Sequence, residues 1–563
     1  MATSSSAPAT LASADECVPR RPHDTVLYGI VREHLDTFLE LTKRSYAAPL
    51  PRDVINTFEH DLACGDLARG FVRCRCGACR HDVLVAKSSK DRGLCPSCGA
   101  RRMCNLAAHI VDRIVPNVPV RQWVLSLPWE LRALAAAKPA VLGAIDRIFA
   151  EEIARLLERL AGVAGARTGS IGCPQLFGGS MNVHPHLHTL CMDGVFEKIG
   201  DDRVRFHPTP APSKDDVGEV AKRVRDRAIS WLRLHRYLDE RAAEDRSNEA
   251  PALGALDACR QTALAGGAFL ARPVSPQAPP GDDKERRERR FSATCDGFDV
   301  HCLERLAEGD DVGRERLLRS CKRPPFALAR IEVLRDGRIA YQVKSPRKGR
   351  THRVMTPMDF MARLAALVPA PYIPLVRYHG VLASRSPWRP LVTPKPPAHA
   401  ATTKPCPQDA TTPAPAAATA PEPAVTPLSP LFMPADLPAE PKSFEPWVFS
   451  GSGKLPAAGA AEPVATVEAT TISVEHWGRL GEGELFAKSR YIAWAALKQR
   501  TFGKDALLCP RCGTKMRVVS TVTDPATVRR ILEHLGLRST PMSRAPARDP
   551  TWEQGDFHFD EPA

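Results

Sequence analysis

Residues 182–190 read Asn182-Val183-His184-Pro185-His186-Leu187-His188-Thr189-Leu190. The period-two alternation predicts a β-strand, with His184, His186 and His188 projecting from one of its faces. At ~3.3 Å rise per residue, histidines two positions apart stand roughly 6–7 Å apart, close enough to share one ion. His184 to His188 spans about twice that distance, so a three-histidine site on this strand alone is strained. Three imidazoles on one face are costly to bury without partners. The pattern therefore points to metal binding, with a packed or surface row of histidines as the bland alternative.

Outward from this strand, residues 139–163 carry Val141, Ile145, Ile148, Phe149, Ile153, Leu156, Leu157 and Leu160 at helical spacing, a stripe that predicts a core helix. A second helix over roughly 214–240 places Val217, Val220, Val224, Ala228 and Trp231 on one face and many basic residues on the other. Ala327 to Lys344 reads as two strands about an Asp336-Gly337 turn, followed by the basic stretch Lys344 to Arg353.

On the N-terminal side the spacing Cys76-x2-Cys79-x15-Cys95-x2-Cys98 predicts one structural zinc ion on two knuckles, in a zinc ribbon. Four protein ligands leave no open position, so this ion is expected to organise the fold. Cys74 and Cys104 flank the four, and Arg101 and Arg102 follow the second knuckle with positive charge. A further knuckle, Cys509-Pro510-Arg511-Cys512-Gly513, stands near the C-terminal end with no second pair beside it, which leaves a half-ribbon relic or a partner-completed site.

Between Pro396 and Thr470 lie 16 prolines, a composition expected to form an extended, disordered linker. After it, Asp524 as N-cap, Pro525 at the first helical position and Gly536 past the end frame a helix that buries Val528, Ile531, Leu532 and Leu535. The expected organisation is a disordered stretch over 1–24, a zinc-binding region over 25–115, a core over 116–395, the Pro/Ala-rich linker over 396–470 and a small C-terminal module over 471–563.

The whole chain of 563 residues carries 78 Lys+Arg against 64 Asp+Glu, a net charge of +14, and 17 cysteines. The linker holds three Lys against seven Asp+Glu, so the basic excess belongs to the rest of the chain. Such an excess favours a polyanionic partner, nucleic acid above all. No stretch approaches the ~18–20 apolar residues of a membrane helix. Met1 to Asp15 lacks a charged start followed by an apolar core, so no signal peptide is expected and the chain reads as cytoplasmic. Cysteines in a reducing compartment are read as metal ligands before disulfides.

The histidine strand behind a cysteine-rich region resembles the rolling-circle transposases of the insertion-sequence ninety-one family, members of the HUH endonuclease superfamily. Other blocks agree in order: Arg92 to Met103, Val120 to Pro128, Asp193 to Phe196, Asp296 to His301, Arg323 to Ala327, Arg377 to Ala383, and the Cys509–Gly513 knuckle with the Asp524-Pro525 helix. The resemblance implies an α+β fold with an HUH-type core about a central antiparallel sheet. It implies a metal-dependent nickase and strand transferase whose partners are single-stranded DNA and transposon ends, associated with the nucleoid. His186 and His188 would then hold Mg²⁺ or Mn²⁺, with Gln175 as a third ligand, and Arg101, Arg102, Arg347, Lys348 and Arg350 would contact DNA. The family nucleophile is a tyrosine on a helix just before the Arg-Pro-Pro block, and that position here is Ser320, with Arg316 four residues earlier. Tyr378 is an alternative nucleophile. A serine hydroxyl is far less acidic than a phenol and shorter, so it needs a base and a different placement. The contrasting expectation is a catalytically inactive, zinc-containing DNA-binding protein that recognises transposon ends.

Overall fold

A computed structural model describes residues 22–90, 92–238, 253–265, 291–347, 350–371, 373–394, 429–430, 492–502 and 505–548. Its longer helices are α1 (Val26–Ser45), α2 (Arg52–Ala63), α3 (Pro96–Arg113), α4 (Trp129–Ala137), α5 (Pro139–Ala161), α6 (Lys214–Leu234), α7 (Ala255–Ala265), α8 (Asp311–Cys321), α9 (Pro357–Leu367), α10 (Trp494–Phe502) and α11 (Pro525–His534). The strands are β1 (Phe71–Cys76), β2 (Asp82–Ala86), β3 (Val120–Ser126), β4 (Gly169–Phe177), β5 (Val183–Met192), β6 (Gly194–Lys198), β7 (Val204–Pro208) and β8 (Ser292–Cys295). They continue with β9 (Phe298–His301), β10 (Arg305–Leu306), β11 (Ile331–Val333), β12 (Ile339–Arg347), β13 (Arg350–Met355), β14 (Arg377–Gly380), β15 (Ser429–Pro430) and β16 (Met516–Val522).

The histidine strand is β5, in the interior of the largest sheet, whose order is β14-β4-β5-β3-β9-β8 with β10 also on β3. All its pairings are antiparallel. Burial along β5 follows the predicted alternation: Val183, Pro185, Leu187 and Thr189 are buried, while His184, His186 and His188 are half-buried. Pro185 cannot donate to a ladder, and the β4–β5 register shifts between Gln175 and Phe177, opposite it.

Helices cover both faces. On one, Trp123, Leu125, Leu187 and Val300 pack against Val141, Ile145 and Phe149 of α5 and Val217, Val220 and Val224 of α6. Helix α5 starts with proline in its first turn and ends at Gly162 in the left-handed region, φ 63°. Helix α6 opens on a capping box between Ser213 and Asp216. On the other face Val120, Ile171, Cys173 and Leu190 pack against Ile110 and Val111 of α3 and Leu318 and Cys321 of α8. Each such side chain taken from water contributes about 1.5–3 kcal/mol. The histidine row lies on this second face. A separate apolar cluster joins α1, α7 and α9 to the three-stranded sheet β11-β12-β13, and Gly337 supplies the turn predicted between β11 and β12 with φ 82°.

The described part of the expected C-terminal module, residues 492–502 and 505–548, packs on the N-terminal region. Strand β16 pairs antiparallel with β1, from Phe71↔Val522 to Cys76↔Met516, in the sheet β15-β2-β1-β16. Val528 and Leu532 of α11, a helix capped by Asp524 as predicted, bury against Phe71 and Leu84. A strand and two short helices cannot close a core alone, and here they complete the N-terminal one. The disordered stretch expected over 1–24 lies outside the described residues except for 22–24, and the linker expected over 396–470 except for Ser429 and Pro430, which pair with β2. Among the described residues no helix is long and apolar enough to cross a membrane.

Candidate metal and nucleic-acid site

The imidazoles of β5 form a row, with ring centroids 5.3 Å apart for His184–His186 and 4.9 Å for His186–His188. The Nδ1 of His186 lies 2.7 Å from the His184 carbonyl oxygen. An Nδ1–H donating there leaves Nε2 as the lone-pair nitrogen. The Nδ1 of His188 lies 2.8 Å from the Gln122 side-chain amide. Burial lowers the His186 pKa to about 4, opposed by the bond to the His184 carbonyl and helped by the charges of Arg323, His301 and Arg132. Burial likewise holds His188 well below its ordinary value. Both rings are therefore neutral at pH 7, the form that ligates a metal.

Gln175 sits directly opposite His186 in the β4–β5 register and is 4% exposed. Its amide nitrogen donates to the carbonyls of Ser320, at 3.3 Å, and Cys321. Its Oε1 is buried and has no hydrogen-bond partner among the described residues. A buried orphan acceptor beside two neutral imidazoles fits a divalent cation, which takes nitrogen and amide-oxygen ligands.

Helix α8 ends above this row. The Asp310 side chain accepts from the Gly313 amide at 2.7 Å and starts the helix. Its buried side carries Arg314, Glu315, Leu318 and Cys321, while Arg316 and Ser320, one turn apart, are exposed. Gln122 also reaches the Cys321 Sγ, at 3.3 Å. Two glutamines thus tie the last turn of α8 to β3 and β4, the strands on either side of the histidine strand. Tyr378 goes elsewhere. It is on β14 opposite Ile171, in the row of Leu190 and two strands from β5, with the Arg389 guanidinium 4.9 Å from its ring centroid.

Two polar residues joined by the register carried no separate expectation. Val124 of β3 faces both His188 and His301, and Ser126 faces both His186 and Asp299. His301 and Asp299, two apart on one strand, are the available signal. The Arg323 guanidinium lies 5.8 Å from the Phe177 ring centroid, and Arg132 donates to the Leu127 carbonyl at 3.1 Å. Of the expected DNA contacts, Arg101 and Arg102 are half-buried on α3, with Arg102 donating to the Lys90 carbonyl at 2.8 Å. Arg347 and Arg350 pair across the β12–β13 hairpin, and Lys348 lies outside the described residues.

The single site expected from Cys76, Cys79, Cys95 and Cys98 is split in two. Among the described residues, ligand atoms gather within 4.8 Å in two groups: Cys76, Cys79, Cys509 and Cys512; and Cys64, Cys95 and Cys98. The physical reason is strand pairing, because β16 delivers the C-terminal knuckle to the end of β1, where it takes the place assigned to Cys95 and Cys98. In the second group Cys64 is 3.5 Å from Cys98 and 3.3 Å from Cys95, and the Ser88 and Ser89 hydroxyls lie 3.1 and 3.5 Å from the Cys98 sulfur. Hydrogen bonds from Cys64 and Cys95 hold the Cys98 thiol far below its usual range. The flanking cysteines differ: burial pushes Cys104 up to about 11 and also raises Cys74.

Residues 30–127 match the family described as "Transposase zinc-binding domain". Residues 169–389, which include the histidine row and α8, match the family described as "Putative transposase". The transposase for insertion sequence element IS801 of Pseudomonas savastanoi pv. phaseolicola is 28% identical over 152 residues. That alignment covers 26% of this chain and 36% of the relative, so the chain spans about a third of the relative it matches. No solved structure matches.

Proposed function

Because this chain belongs to the insertion-sequence ninety-one family of transposases and carries the zinc-binding region of that family on its N-terminal side, we propose that it acts on single-stranded DNA at transposon ends by the rolling-circle route. The observation that carries this reading is Gln175: one amide bonds the end of α8 and leaves a buried acceptor opposite His186. His186, His188 and Gln175 would hold Mg²⁺ or Mn²⁺. A divalent ion bound there supplies Lewis-acid polarisation of a phosphodiester and neutralises charge as it develops. Histidines on an interior antiparallel strand, with a helix end above them, support the HUH-type core.

The remaining roles fall to the side chains around the row. Arg323 and Arg132, whose charges already act on His186, attract the phosphodiester. Arg101, Arg102, Arg347 and Arg350 contact the DNA backbone at more distant phosphates. Ser320 presents its hydroxyl on the exposed last turn of α8, at the nucleophile position. Cys64, Cys95 and Cys98 would hold the zinc of the N-terminal region, with the Ser88 hydroxyl placed to donate to the Cys98 sulfur.

One observation favours a second reading, in which the chain binds transposon ends without cutting. Among the described residues no hydrogen bond joins the Ser320 hydroxyl to a base, and an alcohol needs one to attack a phosphate. Mass spectrometry of peptides after incubation with single-stranded end oligonucleotides and Mn²⁺ separates the two. A DNA-modified peptide containing Ser320 supports cutting by this chain. A DNA adduct at another residue reassigns the nucleophile, and binding with no adduct leaves the second reading. If the His186→Ala, His188→Ala variant binds Mn²⁺ as the unaltered chain does, the metal assignment fails.

A further inference from the structure

The loops at Cys76–Cys79 and Cys509–Cys512, some 430 residues apart, have the same backbone construction. In the first, the Arg80 amide donates to the Cys76 carbonyl at 3.1 Å and the Cys76 amide to the His81 carbonyl at 2.8 Å. In the second, the Gly513 amide donates to the Cys509 carbonyl at 2.9 Å and the Cys509 amide to the Thr514 carbonyl at 2.8 Å. The residue after the second cysteine has positive φ in both, 57° at Arg80 and 72° at Gly513. Arginine accepts this strained conformation only where the surroundings impose it. Two such loops, each aiming two sulfurs at one point, face each other.

Their sulfurs meet at tetrahedral spacing. Cys76 is 3.5 Å from Cys512, Cys79 is 3.5 Å from Cys509, and Cys79 is 3.4 Å from Cys512. Four sulfurs at ~2.3 Å from one zinc ion stand roughly 3.8 Å apart, so a small expansion completes the site. The Thr514 hydroxyl lies 2.9 Å from the Cys76 sulfur and 3.0 Å from that of Cys512, placed to donate to thiolates. The side chains of Arg80 and Arg511 put positive charge in the same loops.

We propose that Cys76, Cys79, Cys509 and Cys512 hold one zinc ion, separate from that of Cys64, Cys95 and Cys98, and that it fastens the C-terminal residues to the N-terminal sheet. Binding replaces four S–H protons by four Zn–S bonds, releasing the protons to solvent, and leaves no open coordination position. The ion is therefore a staple. What it holds in place reaches the candidate site: Arg500 of α10 is buried between Asp112 of α3, at 2.6 Å, and Glu315 of α8, at 3.0 Å.

Elemental analysis of the purified full chain tests the assignment. Two zinc ions per chain are expected, falling to one in the Cys509→Ser, Cys512→Ser variant. Unchanged zinc in that variant overturns the proposal. Should the variant fail to fold, the unaltered chain still answers through alkylation by iodoacetamide in the native state. Cys512 is exposed, so as a free thiol it would be modified at once. Protection of Cys512 that is lost on chelation, together with that of Cys76, Cys79 and Cys509, supports the staple, and immediate modification of Cys512 in the zinc-loaded chain refutes it.

Discussion

The side-chain amide of Gln175 donates to the backbone carbonyl of Ser320 at 3.3 Å, and the same nitrogen reaches the carbonyl of Cys321. The last carbonyls of a helix have no partner within it, and here a glutamine from the adjoining sheet supplies one. The bond fixes where α8 ends, and so where Ser320 stands relative to His186.

Gln175→Leu removes both functions of this residue. The lost bond to buried carbonyls is expected to cost about 1–3 kcal/mol in chemical denaturation. Mn²⁺ affinity, read by calorimetry, should fall by about 10–100-fold as a ligand oxygen disappears. Gln175→Glu discriminates between the functions, since it keeps an oxygen and loses the donor. Stability should fall while Mn²⁺ binding is kept or strengthened, and weakened Mn²⁺ binding in that variant would remove Gln175 from the ligand set.

The alternation around His186 was fully legible in the sequence, because a period-two pattern dictates which side chains share a face whatever the sheet around them. The helices over 139–161 and 525–534 were equally legible from their stripes and caps. What could not be read was long-range pairing. Cys509 and Cys512 looked unpartnered because nothing local shows that β16 pairs with β1, and the two 15-apart knuckles looked sufficient by spacing alone. Asp299 and His301 reach the histidine rows only through β3, a relation that one strand's alternation does not contain. Tyr378 carried an aromatic hydroxyl of the right kind, but only the sheet order placed it two strands from β5.

The burial of His186 has a consequence for acid stability. Its pKa is depressed to about 4 in the folded chain against an ordinary 6.5, so the unfolded chain binds the proton more readily. Stability from this group is complete above pH 6.5 and falls as pH drops toward 4. In divalent-free buffer the loss between pH 7 and pH 5 is expected to be about 2 kcal/mol from this residue. Urea denaturation at the two pH values measures it. His186→Leu should show a correspondingly shallower pH dependence, and an identical dependence in both proteins would mean that His186 is protonated within the fold.

Ser320→Tyr places a phenol on the exposed last turn of α8, and exposure there lets the larger side chain enter without displacing core. A tyrosine ionises near pH ~10 and needs less help from a base than serine does. With Mn²⁺ and a labelled single-stranded oligonucleotide, the variant is expected to form a covalent adduct at position 320 faster than the unaltered chain does. The adduct should vanish when His186 and His188 are also replaced by Ala. Equal nicking by the serine and tyrosine proteins would show that position 320 does not supply the nucleophile.

Arg500 lets the C-terminal contact with α8 be tested apart from zinc. Its guanidinium is fully buried and satisfies Asp112 through two bonds, 2.6 and 2.7 Å, and Glu315 through bonds of 3.0 and 3.1 Å. Arg500→Met fills much of the volume but takes from two buried carboxylates the guanidinium that bonds both, which is expected to cost about 3–5 kcal/mol. Adding Asp112→Asn and Glu315→Gln removes those charges and should recover much of the loss, because the penalty lies in burying negative charge without the Arg500 cation. Zinc content should stay unchanged in both variants, since none of these residues is a ligand. Thermal or urea unfolding with parallel elemental analysis decides. A small loss in Arg500→Met, with no recovery in the triple variant, would mean that α10 is held to α3 and α8 by apolar packing instead.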